Sequence, residues 1–276
     1  MKTSAASEVL RELLDRPAIL ELPAVCDPLG ARLARDAGYE AVALAGYAIA
    51  AHLPLGSTFS IEAVERAACA AVRACGVPLL LDADAGLAAS GQLGRDVAWL
   101  EAAGVAAIQV SSQHVPDHAP VRLASERQRT HAGLLQRVET ACAVRDHILV
   151  MARCDVLPGH DYPESAGRAA TLLAAGADAI LVHAAESELC RLAKDLPGAR
   201  LIYTGPLTAS RGQSVFPPDR LEEWGYSGVS NKYHRCTCPR LRPAVPCAAA
   251  ALPRGGAGVP PRPCGTPGRA DQGRTA

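Results

Sequence analysis

The chain has 276 residues, 28 Lys+Arg against 28 Asp+Glu for a formal net charge of zero, and 49% apolar but only 4% aromatic residues. That length suits one large domain or two small ones with a sizeable core. The neutral balance excludes a global basic field for nucleic acid or an anionic membrane, and the scarce aromatics exclude a base-stacking platform. No uninterrupted apolar run reaches the roughly 18 residues of a transmembrane helix. The N-terminal MKTSAASEVLRELLDRP is charged and helical in pattern, without a signal-peptide core. A soluble, cytoplasmic protein with no nucleic-acid and no membrane partner is expected. Of ten Cys, Cys69, Cys75, Cys142 and Cys190 fall in Ala/Leu-rich helical stretches and read as reduced thiols.

In chain order, the first apolar run is ILELPAV (19–25), followed by Cys26-Asp27-Pro28 and the helical LGARLARDAG. A repeated unit then appears, a helical run ending in Gly and followed by a short apolar run: ARDAGYEAVAL (34–44), LEAAGVAAIQV (100–110), LLAAGADAILV (172–182) and LEEWGYSGVS (221–230). Gly just past a helix adopts the left-handed conformation that ends it, and the apolar run suits a strand buried on both faces. VPLLLDA (77–83), HILVMA (147–152) and ARLIYT (199–204) complete eight strands, with helical segments such as IEAVERAACAAVRAC (61–75) between them. Alternating β and α elements predict a parallel sheet, and eight units predict a (β/α)8 TIM barrel over residues 1–234. The rival, a doubly wound sheet, usually carries a Gly-rich phosphate loop after strand one, and neither G-x-G-x-x-G nor G-x-x-x-x-G-K-[ST] occurs. Residues 235–276 hold eight Pro, six Gly, seven Arg and four Cys with one acidic residue, Asp271. This composition predicts a disordered, basic tail.

In such a barrel the active site lies at the C-terminal ends of the strands. Those ends carry Asp27; Ala45, Gly46 and Tyr47; Asp82 and Asp84; Ser111, Ser112 and Gln113; Arg153 and Asp155; His183; Thr204; and Asn231, Lys232 and His234. Asp82 and Asp84, two apart on a strand, share a face. Two converging carboxylates call for a cation, and Mg²⁺ held by one or two carboxylates plus water and substrate oxygens fits; a helix-capping turn is the alternative. Arg153 can hold a carboxylate or phosphonate bidentately, or form a rim salt bridge with Asp155 or Asp82. His183 can bind an anion, move a proton, or sit as a satisfied core histidine. Asp27 reads most simply as a helix cap.

These motifs resemble the phosphoenolpyruvate mutase / isocitrate lyase superfamily over residues 8–234. The resemblance is carried by LRELLDRPAILELPAVCDPLGARLARDAGYEAVALAG, VPLLLDADAG, LEAAGVAAIQV, VMARCDV and AGADAILVHAAES. LLDADAG and GADAILVH look closest to the phosphonate-forming branch. The resemblance implies a (β/α)8 barrel that binds Mg²⁺ and a small anionic oxo acid or phosphonate. It implies an isomerase or lyase that makes or breaks a P–C or C–C bond beside a pyruvate enolate. It also implies Asp82 as the direct Mg²⁺ ligand and Asp84 as its water-mediated partner. Ala45-Gly46-Tyr47 becomes the segment whose backbone binds the substrate carboxylate, and Arg153 and His183 become the substrate-binding and catalytic pair. A homo-oligomer is in keeping with the family's habit of swapping its last helix between subunits, although no helix can be drawn in the Pro-rich tail.

Three departures stand beside it. The acidic residue at the end of strand four is replaced by Ser111-Ser112-Gln113, and the Asp expected after strand two is missing from HLPLGSTFS (52–60). The loop SSQHVPDHAPVRLASERQRTH contains no Cys, which speaks against an isocitrate or methylisocitrate lyase, and it lacks the mutase's Lys-Thr-Asn. His114, His118 and His131 are candidate proton donors in that loop. A barrel that binds an oxo acid or a partner without turnover is the second hypothesis. A tail-mediated interaction protein is the third.

Overall fold

A computed structural model describes residues 3–46, 49, 61–82, 92–111, 131–155, 162–205 and 216–231. The elements run α1 (Thr3–Asp15), β1 (Leu20–Val25), α2 (Pro28–Asp36), β2 (Val42–Leu44), α3 (Ile61–Cys75), β3 (Leu79–Asp82), α4 (Leu93–Ala102), β4 (Ala107–Ser111), α5 (His131–Val144), β5 (Leu149–Arg153), α6 (Tyr162–Ala174), β6 (Ala179–Val182), α7 (Glu186–Asp195), β7 (Leu201–Gly205), α8 (Pro218–Glu223) and β8 (Gly228–Asn231). All strands are parallel, in sequential order, and β8 pairs with β1 to close the barrel. The expected eight-stranded barrel is thus the fold. The expected tail, 235–276, lies outside the described residues, as do Tyr47, Asp84, Ser112, Gln113, His114, His118, Lys232 and His234.

The Gly-then-strand repeat has the anticipated cause. Gly38, Gly104, Gly176 and Gly225 have φ of 88°, 94°, 100° and 89°. Each turns a helix end directly into the next strand at a conformation that a Cβ disfavours.

Alternate residues of each strand face opposite ways, and this divides the core in two. Leu20, Leu22, Ala43, Leu80, Leu149, Met151, Leu181 and Ile202 pack together inside the barrel. Val42, Leu44, Leu79, Leu81, Val150 and Val182 pack outward against the helices. The inner cluster also takes Ala6, Leu10 and Leu14 from α1, all nearly inaccessible. Helix α1 precedes β1 and therefore closes the N-terminal end. Ser7 Oγ donates to the Ala106 carbonyl at 3.0 Å, and Arg11 reaches Asp178 at 3.3 Å.

Two acidic side chains anchor the start of β5. Glu101 in α4, 8% exposed, accepts the backbone N–H groups of Asp146, His147 and Ile148. Asp178 accepts the Val150 N–H at 2.8 Å and pairs with Arg145. A carboxylate accepting several N–H groups satisfies donors that a strand start would otherwise leave unpaired.

Candidate active site

The alternation that fills the barrel with Leu and Met turns polar at the top. On the inward face, Leu80 is followed by Asp82, Ala107 by Gln109 and Ser111, Met151 by Arg153, Leu181 by His183, and Ile202 by Thr204. Register places Asp82 opposite Gln109, Ser111 opposite Arg153, and Thr204 opposite Ser230. Gln109, Ser111, Thr204 and Ser230 are 1–2% exposed. Thr204 Oγ1 is buried with no hydrogen-bond partner among the described residues. A polar layer of this kind is costly unless it serves a ligand or a network.

Asp155 organises one side of the layer. Arg153 Nε lies 2.9 Å from both Asp155 carboxylate oxygens, and Arg153 Nη2 lies 2.6 Å from Oδ2. The same carboxylate accepts the His183 backbone N–H through Oδ1 at 3.1 Å. The two side chains are 16% and 10% exposed. The rim pairing of Arg153 with Asp155 is therefore present, and it occupies the Nε–Nη2 edge of the guanidinium. His183 Nδ1 lies 3.0 Å from the Thr204 carbonyl. A carbonyl only accepts, so Nδ1 carries a proton and Nε2 is the nitrogen left to accept one. Tyr203 stands behind this ring at a centroid distance of 6.3 Å and packs edge-on against Phe216 at 5.4 Å. Burial pushes its hydroxyl up to about 12, so it stays neutral.

Across the barrel, β2 exits beside β3. Ala45 is 3% exposed and its N–H donates to the Val25 carbonyl at 3.3 Å. That bond commits the Ala45 N–H to β1, and Tyr47 lies outside the described residues. A Cβ on Gly46 would stand 2.6 Å from the Asp82 carbonyl oxygen. Only glycine lets these two backbones approach so closely, and the contact ties the segment to the strand end that carries Asp82. Asp27 caps α2, accepting the Gly30 N–H at 2.7 Å, as its simplest reading has it.

Two contacts were not foreseen from the sequence. Arg137 of α5, 8% exposed, donates through Nη1 to the Ser111 carbonyl at 2.9 Å. Nothing in the amphipathic pattern of α5 marks this Arg as inward-facing. Nor does β6 signal that the His183 N–H is held from β5. His131 opens α5 and pairs with Thr171 of α6 at 3.1 Å. Burial first, then Arg168, holds it below the usual imidazole range. It therefore belongs to the helical layer, away from the barrel axis. Cys154 does not replace the thiol that the loop lacks. It faces the helices with Sγ toward the Ser165 carbonyl, and burial followed by Asp155 pushes it up to about 11, far from a nucleophilic thiolate.

The family model described as phosphoenolpyruvate phosphomutase matches residues 10–237. The chain belongs to this family. It is similar to 2-methylisocitrate lyase of Bacillus subtilis (strain 168), 32% identical over 224 residues covering 79% of this chain and 73% of the relative. It is also similar to 2,3-dimethylmalate lyase of Eubacterium barkeri, 31% identical over 201 residues covering 70% and 68%. Among solved structures, phosphoenolpyruvate phosphomutase from Streptomyces platensis subsp. rosaceus superposes with a TM-score of 0.69 at 25% identity, covering 82% of this chain and 80% of that one. The protein is thus an enzyme-family member whose relatives include both lyases and a phosphomutase. This breadth matches a superfamily that works on C–C and P–C bonds. Asp82 and Arg153 end β3 and β5, and His183 directly follows β6, so all three stand at the C-terminal end of the barrel.

Proposed function

We propose that the protein is a Mg²⁺-dependent, cytoplasmic enzyme that forms or cleaves a P–C or C–C bond next to a pyruvate-type enolate. Its substrate is a small anionic 2-oxo acid or phosphonate. The observation that carries this reading is the polar layer itself: a carboxylate, a guanidinium and an imidazole stand at the C-terminal ends of β3, β5 and β6, where the strand interior changes from Leu and Met to charge.

The described residues fit Mg²⁺. Asp82 ends β3 and offers a hard oxygen of the type Mg²⁺ prefers; no group of three or more His, Cys, Asp or Glu side chains forms a metal cluster among the described residues, so the remaining positions would fall to water and substrate oxygens. Asp82 would hold the ion directly and Asp84 through water. Bound there, Mg²⁺ supplies Lewis-acid stabilisation of an enolate oxygen. The chain's own residues do the rest. Arg153 would hold an anionic end of the substrate, and the backbone of the Ala45-Gly46-Tyr47 segment would bind its carboxylate. His183, fixed by Nδ1 to Thr204, offers Nε2 to bind an oxyanion or move a proton. The apolar layer beneath, Leu80, Met151 and Leu181, keeps water from the floor of the site.

Phosphorus and proton NMR of the purified protein with Mg²⁺ and a panel of phosphonopyruvate, phosphoenolpyruvate, oxaloacetate and 2-methylisocitrate tests this. New phosphorus signals from phosphonopyruvate select P–C chemistry, in line with His183. Pyruvate from oxaloacetate or 2-methylisocitrate, above the background rate, selects C–C chemistry, in line with the relatives named as lyases. One observation favours a second reading, a barrel that binds an oxo acid without turnover. Ser111 stands where the family has an acidic residue, and its carbonyl faces the Arg137 cation. That reading predicts calorimetric binding of oxalate with no product from any member of the panel.

A further inference from the structure

Asp155 does two things at once. It fixes the guanidinium plane of Arg153 through three short contacts of 2.6–2.9 Å, and it holds the His183 N–H at 3.1 Å. Arg153 and His183 sit on neighbouring strands, β5 and β6, whose register runs Met151–Ala179, Ala152–Ile180 and Arg153–Leu181. The ladder continues through the Cys154 N–H to the Leu181 carbonyl at 2.9 Å. Past the end of the two strands, the Asp155 carboxylate takes the His183 N–H. A flexible Arg loses several rotamers to bind an anion; one already held side-on by a carboxylate loses few. The paired charge also removes the excess positive field that would hold any anion in any orientation.

We propose that Asp155 is a positioning residue that sets Arg153 and the backbone of His183 as one unit for the substrate's anionic group. This rests on the proposed site. Asparagine weakens the unit without removing it: an oxygen in the place of Oδ1 can still accept the His183 and Arg153 Nε hydrogens, whereas an NH2 group in the place of Oδ2 cannot accept from Nη2, and the charge pairing is lost.

The test uses the full chain, labelled with ¹⁵N, as wild type, Asp155→Asn, Arg153→Lys and the double variant. In wild type the Arg153 Nε–H signal, assigned by its loss in Arg153→Lys, is expected to be protected from exchange with water, and in Asp155→Asn, where one of its two acceptor oxygens and the opposing charge are gone, it is expected to exchange faster. Oxalate binding in the presence of Mg²⁺, read by calorimetry, should weaken on the order of 10-fold in Asp155→Asn, with a drop of up to about 100-fold in kcat on whichever panel substrate is turned over. Asp155→Asn added to Arg153→Lys should cost little more, because the partner it acts through is already changed. An unprotected Nε–H in wild type, or fully additive losses in the double variant, overturns the proposal. Absence of turnover in wild type refutes the functional reading alone, since the exchange and oxalate measurements still decide the role of Asp155.

Discussion

The two ends of the barrel are built on opposite rules. At the N-terminal end α1 buries Ala6, Leu10 and Leu14 in the axis, and charges lie outside. Arg16 pairs with Glu40 and Arg200 with Asp15, whose carboxylate side chains are 51% exposed in both pairs. At the C-terminal end the charges point inward. Arg153 and Asp155 are largely buried, and the layer of Ser111, Thr204 and Ser230 has almost no solvent contact. One end is an apolar seal rimmed by exposed ion pairs, with Glu101 and Asp178 tied to backbone N–H groups at the start of β5. The other gives up apolar burial to hold charge in fixed positions. Stability and chemistry are thereby assigned to different ends of the same strands, which lets one be altered without the other.

The sharpest way to break this division is Asp82→Ala. Mg²⁺-dependent turnover should fall on the order of 10²–10³-fold while the circular dichroism spectrum and melting temperature stay near wild type. Unchanged turnover would take Asp82 out of the metal site. The mirror experiment is Leu10→Ala in the seal, where the side chain is fully buried. Denaturant unfolding should show a loss of about 2–5 kcal/mol, with kcat at room temperature unaltered. A parallel fall in kcat would show that the ends are coupled.

Gly46→Ala sharpens the comparison from the site side. Its Cβ would meet the backbone oxygen of Asp82 at 2.6 Å, and neither partner is a flexible side-chain tip. A loss of about 1–3 kcal/mol is expected, together with weaker Mg²⁺ binding in a calorimetric titration as the Asp82 strand end shifts. Mg²⁺ affinity equal to wild type would mean that this contact does not position Asp82.

The smallest effects belong to the outer charges of the seal. The hydrogen bond from Arg200 lowers Asp15 from its ordinary 3.8, and that from Arg16 lowers Glu40 from 4.5. Carboxylates lowered in the folded state contribute above their unfolded values, and the contribution disappears as pH falls through the folded ones. Arg16→Ala or Arg200→Ala should therefore cost less than about 1 kcal/mol near neutral pH and nothing once both acids are protonated. A larger loss in urea titrations at neutral pH would give these exposed pairs a structural weight that their exposure argues against.

Much of the architecture could be read along the chain because it is encoded locally. Gly38, Gly104, Gly176 and Gly225 each end a helix by their own backbone freedom, and the apolar runs that follow are strands wherever they occur. Asp82, Arg153 and His183 could be picked out because each stands at the end of a short apolar run. Asp155 was legible only as a rim partner of Arg153. Its hold on the His183 N–H joins residues 28 apart, and nothing in either segment announces it.

The sequence by itself determined the eight-unit barrel, its helix ends and the strand ends that face the site, since these follow from propensities and periods within a few residues. Closure of β8 on β1 decided the rest. It brought α1 under the barrel as a seal, set Gly46 against the Asp82 carbonyl and placed Arg137 on the Ser111 carbonyl. It also let one carboxylate span β5 and β6. Those contacts depend on which strand lies beside which and in what register, and only the packed tertiary structure specifies both.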